Sequence, residues 1–253
     1  MKILTYLYNI YLVCFALPLF VILTILTALT TIVGSLLGGA KTWGYYPGKV
    51  WSILTCILLL LPVKVTGREK LHKHTSYIFV PNHQGAFDIF LIYGFLGRNF
   101  KWMMKKSLRK IPFVGAACQS AGHIFVDRSG PKKVMETIEQ AKKSLVNGLS
   151  LVVFPEGARS FTGHMGIFKK GAFQLADELQ LSIVPITIIG SFEVMPRTSK
   201  WIHQHSMRLI IHDPIAPKGS GMEDIVALRN EAYHVVMGGL PERYQGYVKN
   251  DDQ

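Results

Sequence analysis

Between Lys2 and Lys41 the chain runs for 38 residues without a single charge. Helices in water-soluble proteins average three to four turns and keep a polar face, so a run this long points to a nonpolar solvent. It also exceeds the ~7 to 15 apolar residues at the core of a secretion signal. The expectation is a retained membrane anchor occupying residues 1–64. Residues 19–39 supply the roughly 20 apolar positions that a ~30 Å hydrocarbon core requires, if Pro18 breaks the run. The next apolar stretch, 50–63, would reach only about 21 Å at ~1.5 Å per residue. Lys2, Lys41, Lys49 and Lys64 lie at every turn of this region, so positive charge favours neither orientation. A helical hairpin embedded in one leaflet fits these lengths at least as well as two full spans.

The whole chain has 253 residues, with 28 Lys plus Arg against 16 Asp plus Glu, a net charge of +12 and only 17% charged residues. Typical globular chains carry about 25%, so the low fraction is itself a sign of the anchor. An apolar content of 49% excludes a disordered polymer. Cys14, Cys56 and Cys118 are too few for a disulfide scaffold and show no metal or redox spacing. Eleven basic residues face three acids between Arg98 and Lys143. Beside an apolar anchor the natural partner of such a cluster is anionic lipid; no nucleic-acid motif accompanies the charge.

From Gly67 onward, apolar runs of strand length alternate with helical patterns. This predicts an α/β domain over 65–240, with a mixed, largely parallel sheet flanked by helices, followed by a polar tail, 241–253. Strands are expected at 76–80, 123–126, 149–154, 183–189 and 207–211. Helices are expected at 87–96, from Pro131 to the stop at Gly148, at 171–179 and at 223–237.

The chemistry concentrates where strands end. His83 and Asp88 are five apart, which on a regular helix would rotate them about 140° from each other. The breaker cluster Pro81, Asn82, His83, Gln84, Gly85 instead lets a histidine in the turn meet an aspartate in the first helical turn. A carboxylate on one ring nitrogen fixes the tautomer and raises basicity. A second loop, Pro155-Glu156-Gly157-Ala158-Arg159-Ser160, follows a buried strand at the usual ligand crevice of an α/β sheet. Arg159 offers a planar fork for a phosphate, and Glu156 could bind a polyol or hold the arginine. Arg128, after the 123–126 strand, would be a second phosphate ligand if that strand neighbours the 149–154 strand. The pairs His72/His74 and His203/His205 lack the further ligands of a zinc motif, and no metal site is expected.

Taken together these segments resemble the glycerophospholipid acyltransferase family, most closely its 1-acyl-glycerol-3-phosphate acyltransferases. Asn82-His83-Gln84-Gly85-Ala86-Phe87-Asp88 resembles the family's His-x4-Asp block, and Lys105-Lys106 through Ile111-Pro112-Phe113-Val114-Gly115 its basic segment. Gly122 to Arg128 resembles its arginine block, Phe154 to Ser160 its Glu-Gly-x-Arg block, and Val184-Pro185-Ile186 the last block. Gly85 stands where the family often has Ser, and Ala158 where it often has Thr. The resemblance implies an O-acyltransferase that moves a fatty acyl group from a thioester to the sn-2 hydroxyl of lysophosphatidic acid. His83 would be the general base and Asp88 its orienting partner. Arg128, Glu156, Gly157, Arg159 and Lys105 would hold the acceptor's phosphate and glycerol, and Pro185 would shape the acyl-donor channel. No cofactor is implied beyond acyl-coenzyme A or acyl carrier protein as co-substrate. Partners would be membrane lipid and that donor, with no nucleic acid. The location implied is the cytoplasmic face of a bacterial inner membrane, or the endoplasmic reticulum of a eukaryote. The same chemistry on another lysophospholipid, a lyso-amino-acid lipid or glycerol-3-phosphate, and a non-catalytic anchored lipid-binding protein, are the alternatives.

Overall fold

A computed structural model describes residues 2–126, 148–219 and 221–246, together with positions 130, 136, 137, 139, 141–143 and 145. The expected 131–148 helix lies mostly outside these residues, as do Arg128 and the end of the tail.

The apolar N-terminus forms a helical hairpin. Its first arm comprises α1 (Lys2–Tyr11), α2 (Leu17–Gly34) and α3 (Ala40–Trp43), joined by wider π turns at Leu12–Ala16 and Ser35–Gly39. Pro18 does not break the run. The π turn just before it, in which the Leu17 N–H reaches back to the Leu12 carbonyl, absorbs the ring and the missing N–H. The bend falls instead at Gly38, whose φ of 90° is open to glycine at little cost. The second arm is α4 (Tyr46–Leu58), which starts on Pro47 in the first turn. Among the described residues one helical segment, Ile3–Trp43, is long and apolar enough to cross a membrane; α4, at about 20 Å, is not.

The domain is built on a seven-stranded sheet: β1 (Val63–Thr66), β2 (Ile78–Pro81), β3 (Phe100–Lys105), β4 (Ile124–Val126), β5 (Ser150–Val152), β6 (Ile183–Ile189) and β7 (Met207–Ile211). Their order is β1-β7-β6-β2-β5-β3-β4. Neighbours are parallel except β6 and β7, which run antiparallel, so the sheet is mixed and largely parallel. Two strands lacked a sequence signal. β1 hides at the end of the second apolar stretch, straddling the expected boundary at residue 64. β3 carries Lys101 on a buried position, where its ammonium is held by the Ala121 carbonyl.

Two apolar layers sandwich the sheet. On one face, α5 (Asp88–Phe95) packs beneath the hairpin, and one continuous core joins Leu12, Ala16 and Tyr45 to Phe79, Leu91, Ile92 and Ile186. Trp51 lies on Phe90 with ring centroids 4.6 Å apart, and the Tyr45, Tyr93 and Phe100 rings interlock. On the other face, α7 (Gly171–Leu179) and α9 (Met222–Gly238) cover Ile78, Val80, Leu151 and Ile183. α6 (Val114–Ser120) packs against α2. The helix after β2 leads to β3 on one side of β2, whereas the helix after β5 leads to β6 on the other. The crevice outside the carboxyl ends of β2 and β5 is therefore a topological switch point, the usual ligand position in such sheets.

Candidate active site

β2 ends at Pro81, which has no N–H for the ladder. Asn82 continues it with its side chain: Nδ2 donates to the Ile188 carbonyl at 3.0 Å and Oδ1 accepts the Ile188 N–H at 2.7 Å. The root of the loop is thereby fixed to β6. His83 follows, with its N–H donating to Glu156 Oε1 at 2.6 Å and its carbonyl accepting the Ser160 N–H at 2.8 Å. The loops after β2 and β5 are thus one rigid unit.

The structure brings His83 and Asp88 together, with Nδ1 2.7 Å from Asp88 Oδ2. Asp88 is the first residue of α5, where a carboxylate is favoured by the helix dipole, and it is fully buried. Oδ2 also accepts the Gln84 and Gly85 N–H groups at 2.8 and 3.0 Å, and Oδ1 accepts the Ser191 hydroxyl. Backbone and hydroxyl donors thus occupy the acceptor positions of the carboxylate that the ring leaves open. An ionised carboxylate only accepts, so Nδ1 carries the imidazole proton and Nε2 presents a lone pair. The ring is clamped in plane by Phe154, stacked at 3.9 Å, and Phe154 in turn lies on Trp102.

Glu156 is buried, and both of its oxygens are occupied by backbone donors, from His83 and, at 2.7 Å, from Gly166. Burial pushes its pKa up to about 8; the two N–H donors oppose this and the Asp88 charge adds to it. In the structure it pins three loop segments together. Gly157 is exposed with φ of 80°, a conformation that a side chain rarely adopts. Arg159 is half-buried on the same loop. Lys105 is exposed at the carboxyl end of β3, the strand next to β5. β4, which leads to Arg128, pairs with β3 and not with β5, so the adjacency expected for Arg128 is not formed; the residue itself lies outside those described. Pro185 is buried in mid-β6 opposite Val80, and its carbonyl accepts the His212 N–H.

Sequence reasoning missed Ser191. It begins the one-turn α8 (Ser191–Val194) beyond the carboxyl end of β6, a strand-end position like those of the other site residues. It also accounts for Gly85: a Cβ there would overlap the Ser191 carbonyl and lie 2.7 Å from its hydroxyl. The hydroxyl that residue 85 lacks is delivered to the same place by Ser191. Arg197 was missed as well. It stacks over Phe161 at 4.1 Å and donates to the Arg159 carbonyl at 3.4 Å, on a loop tied to Gly85 through an isolated bridge at Pro196.

These features define a class: an α/β protein with an aspartate-held imidazole beside an arginine-bearing loop, on a sheet carrying an apolar hairpin. The Acyltransferase family model matches residues 62–189, and the chain belongs to that family. A chloroplastic 1-acyl-sn-glycerol-3-phosphate acyltransferase of Arabidopsis thaliana is 34% identical over 177 residues, covering 69% of this chain and 49% of that protein. A 1-acyl-sn-glycerol-3-phosphate acyltransferase of Saccharomyces cerevisiae is 38% identical over 135 residues, 52% of this chain and 44% of that one. The chain thus spans about half the length of these relatives. The crystal structure of the 1-acyl-sn-glycerophosphate (LPA) acyltransferase PlsC from Thermotoga maritima matches over 98% of this chain and 99% of its own, with a TM-score of 0.78 and 28% identity.

Proposed function

We propose that this protein is a 1-acyl-sn-glycerol-3-phosphate acyltransferase, transferring a fatty acyl group from an acyl thioester to the sn-2 hydroxyl of lysophosphatidic acid to give phosphatidic acid. The observation that carries the reading is the His83–Asp88 pair, 2.7 Å apart, with the aspartate held by three further donors. His83 Nε2 takes the proton of the acceptor hydroxyl as that oxygen attacks the thioester carbonyl, and Asp88 offsets the positive charge that develops on the ring. Collapse of the tetrahedral intermediate breaks the C–S bond, and the departing thiolate takes the proton back from His83. No acyl-enzyme intervenes, and the chain has no Gly-x-Ser-x-Gly elbow to support one. Arg159 and Lys105 are assigned to the acceptor phosphate and Gly157 to close approach of the glycerol; Arg128, whose strand does not neighbour β5, keeps a phosphate role only as what the resemblance to the family's arginine block implies. Pro185 is assigned to the wall of the acyl-donor channel. The donor is acyl-coenzyme A or acyl carrier protein, both anionic and suited to the basic surface.

The acceptor is a membrane lipid, and the hairpin is assigned to one leaflet. Its turn is bonded to the domain, through the Tyr93 hydroxyl on the Gly44 carbonyl at 3.2 Å and Asn99 on the Lys41 carbonyl at 2.9 Å. The Tyr8 and Tyr11 hydroxyls bond the Leu59 and Leu58 carbonyls at the other end. A turn bonded to the domain supports a hairpin lying along one membrane face, the cytoplasmic face where acyl thioesters are made.

The test is acyl transfer from labelled donor to a panel of acceptors by the full chain in phospholipid vesicles. Lysophosphatidic acid should be preferred, and His83→Ala should abolish transfer while leaving the thermal midpoint unchanged. Preference for another lysolipid, or for glycerol-3-phosphate, would replace the acceptor. Transfer retained by His83→Ala would remove the proposed base.

A further inference from the structure

Residues 105–113 are exposed without a break, and the run is amphipathic in composition. Leu108, Ile111 and Phe113 are 39%, 43% and 49% exposed, interleaved with Lys105, Arg109 and Lys110. Three large apolar side chains presented to water within six residues are a cost that a soluble loop normally avoids. The backbone spends more free energy at the same place. Phe113 has φ 59° and ψ −53°, and the Val114 N–H reaches the Pro112 carbonyl at 2.6 Å, which is the rare, strained form of γ-turn. Strain of this kind in a bulky residue persists where the surroundings require it. Here it holds an aromatic ring outward just before α6.

The position of the run names its occupant. It leaves the sheet at the carboxyl end of β3, the edge on which the His83 and Glu156 loops stand, and it enters α6, which packs on α2 of the hairpin. It therefore connects the ligand crevice to the lipid-facing helices. We propose that residues 105–113 form a second membrane contact, distinct from the helical hairpin, that seats on an anionic phospholipid surface. Leu108, Ile111 and Phe113 enter the interfacial region while Arg109 and Lys110 meet lipid phosphates, each basic residue adding to the attraction. The seat holds the mouth of the crevice against the bilayer, so that a lysolipid reaches His83 without leaving the membrane. The inference rests on the reading of the protein as an acyltransferase with a lipid acceptor.

The decisive measurement uses the full chain in vesicles of phosphatidylcholine with 30% phosphatidylglycerol (about one lipid in three, enough for a negative surface). An environment-sensitive fluorophore is placed on Ile111→Cys, and as a control on Lys218→Cys, which follows β7 near the opposite sheet edge, where Ile215 bridges Ile183. Cys14, exposed, is replaced by Ser in both. Lipids brominated on the upper acyl chain should quench the label at 111 and not that at 218. In the same vesicles Leu108→Ala/Ile111→Ala/Phe113→Ala should raise the apparent KM for vesicle-embedded lysophosphatidic acid about tenfold. Its activity on a monomeric short-chain acceptor should be unchanged. A label at 111 that stays as water-exposed as the control overturns the proposal. So does an Arg109→Gln/Lys110→Gln variant that loses affinity only for acyl carrier protein, which would assign the surface to a protein donor. Absence of acylation of any lysophospholipid would refute the enzymatic reading, while the quenching result stands apart from activity.

Discussion

Each side chain in the crevice has a separable job. Ser191 touches neither ring nor substrate position; it holds Asp88 Oδ1, the oxygen not facing His83. It is a positioning residue, and Ser191→Ala should lower kcat about tenfold with both KM values unchanged, while Ser191→Thr, which retains the hydroxyl, should recover much of the loss. Equal losses in KM and thermal midpoint, without recovery by Thr, would make its role purely architectural. Glu156 makes a different prediction. Its folded pKa, raised to about 8 from 4.5, means that the folded state binds a proton more tightly than the unfolded one. Stability from this group is therefore full below about pH 4.5 and is lost as pH rises through about 8. Glu156→Gln removes that slope, but its amide can accept only through its oxygen and leaves one of the two backbone N–H groups without an acceptor, at about 1 to 3 kcal/mol. Thermal midpoints from pH 5 to 9 should show a declining wild type and a flatter, lower variant; parallel curves would refute the assignment.

At the scale of elements, His123 couples three pieces that are far apart in sequence. Its Nδ1 accepts the N–H of Trp102 in β3 at 3.2 Å, and its Nε2 lies 3.3 Å from the Tyr93 hydroxyl of α5. That hydroxyl in turn bonds the Gly44 carbonyl in the hairpin turn. Burial and then the neighbouring Lys101 ammonium drive its pKa down to about 3, consistent with an Nδ1 that already faces a donor. With a folded pKa below the unfolded 6.5, its contribution is present above about pH 6.5 and is lost as pH falls toward about 3. His123→Asn keeps an acceptor for the Trp102 N–H and cannot titrate. Its thermal midpoint should fall less steeply than wild type between pH 6.5 and 5, and an identical acid slope would exclude His123 as the titrating group. The element also shows how a recognisable block can carry architecture: the Gly122-His123 half of the arginine block fastens sheet, helix and anchor.

The whole molecule is a hairpin and a sheet sharing one core, and its topology follows from that. Because the turn near Gly44 is bonded to Tyr93 and its neighbour Lys41 to Asn99, the turn and the domain should lie on the same side of a membrane. A membrane-impermeant thiol reagent should label Lys49→Cys from the side that also labels Lys218→Cys, in sealed vesicles of either orientation. Labelling from opposite sides would mean two full spans and a different packing of the hairpin.

Periodicity and breakers were enough to place β6, β7 and α7 at their observed bounds, because each is a continuous or well-spaced apolar pattern ended by turn residues. They allowed His83 and Asp88 to meet across the turn, but one of nine histidines at that spacing is weak evidence by itself, and it is the resemblance to the family's His-x4-Asp block that singles the pair out. β3 was not legible: Lys101 interrupts its pattern, and only the Ala121 carbonyl, twenty residues on, makes that lysine tolerable inside. The helix through Pro18 was hidden because a π turn, a matter of backbone register, repairs what proline removes. Ser191 and Arg197 reach the site from more than a hundred residues after His83, and no local rule relates residues at that separation. The uncharged run from Ile3 to Ala40, by itself, determined that part of this chain needs a nonpolar solvent, since the requirement depends on composition alone. That its helices lie along the domain was decided only by tertiary structure, because the carbonyls at Lys41 and Gly44 find their donors on Asn99 and Tyr93, side chains that the folded domain brings to the hairpin turn.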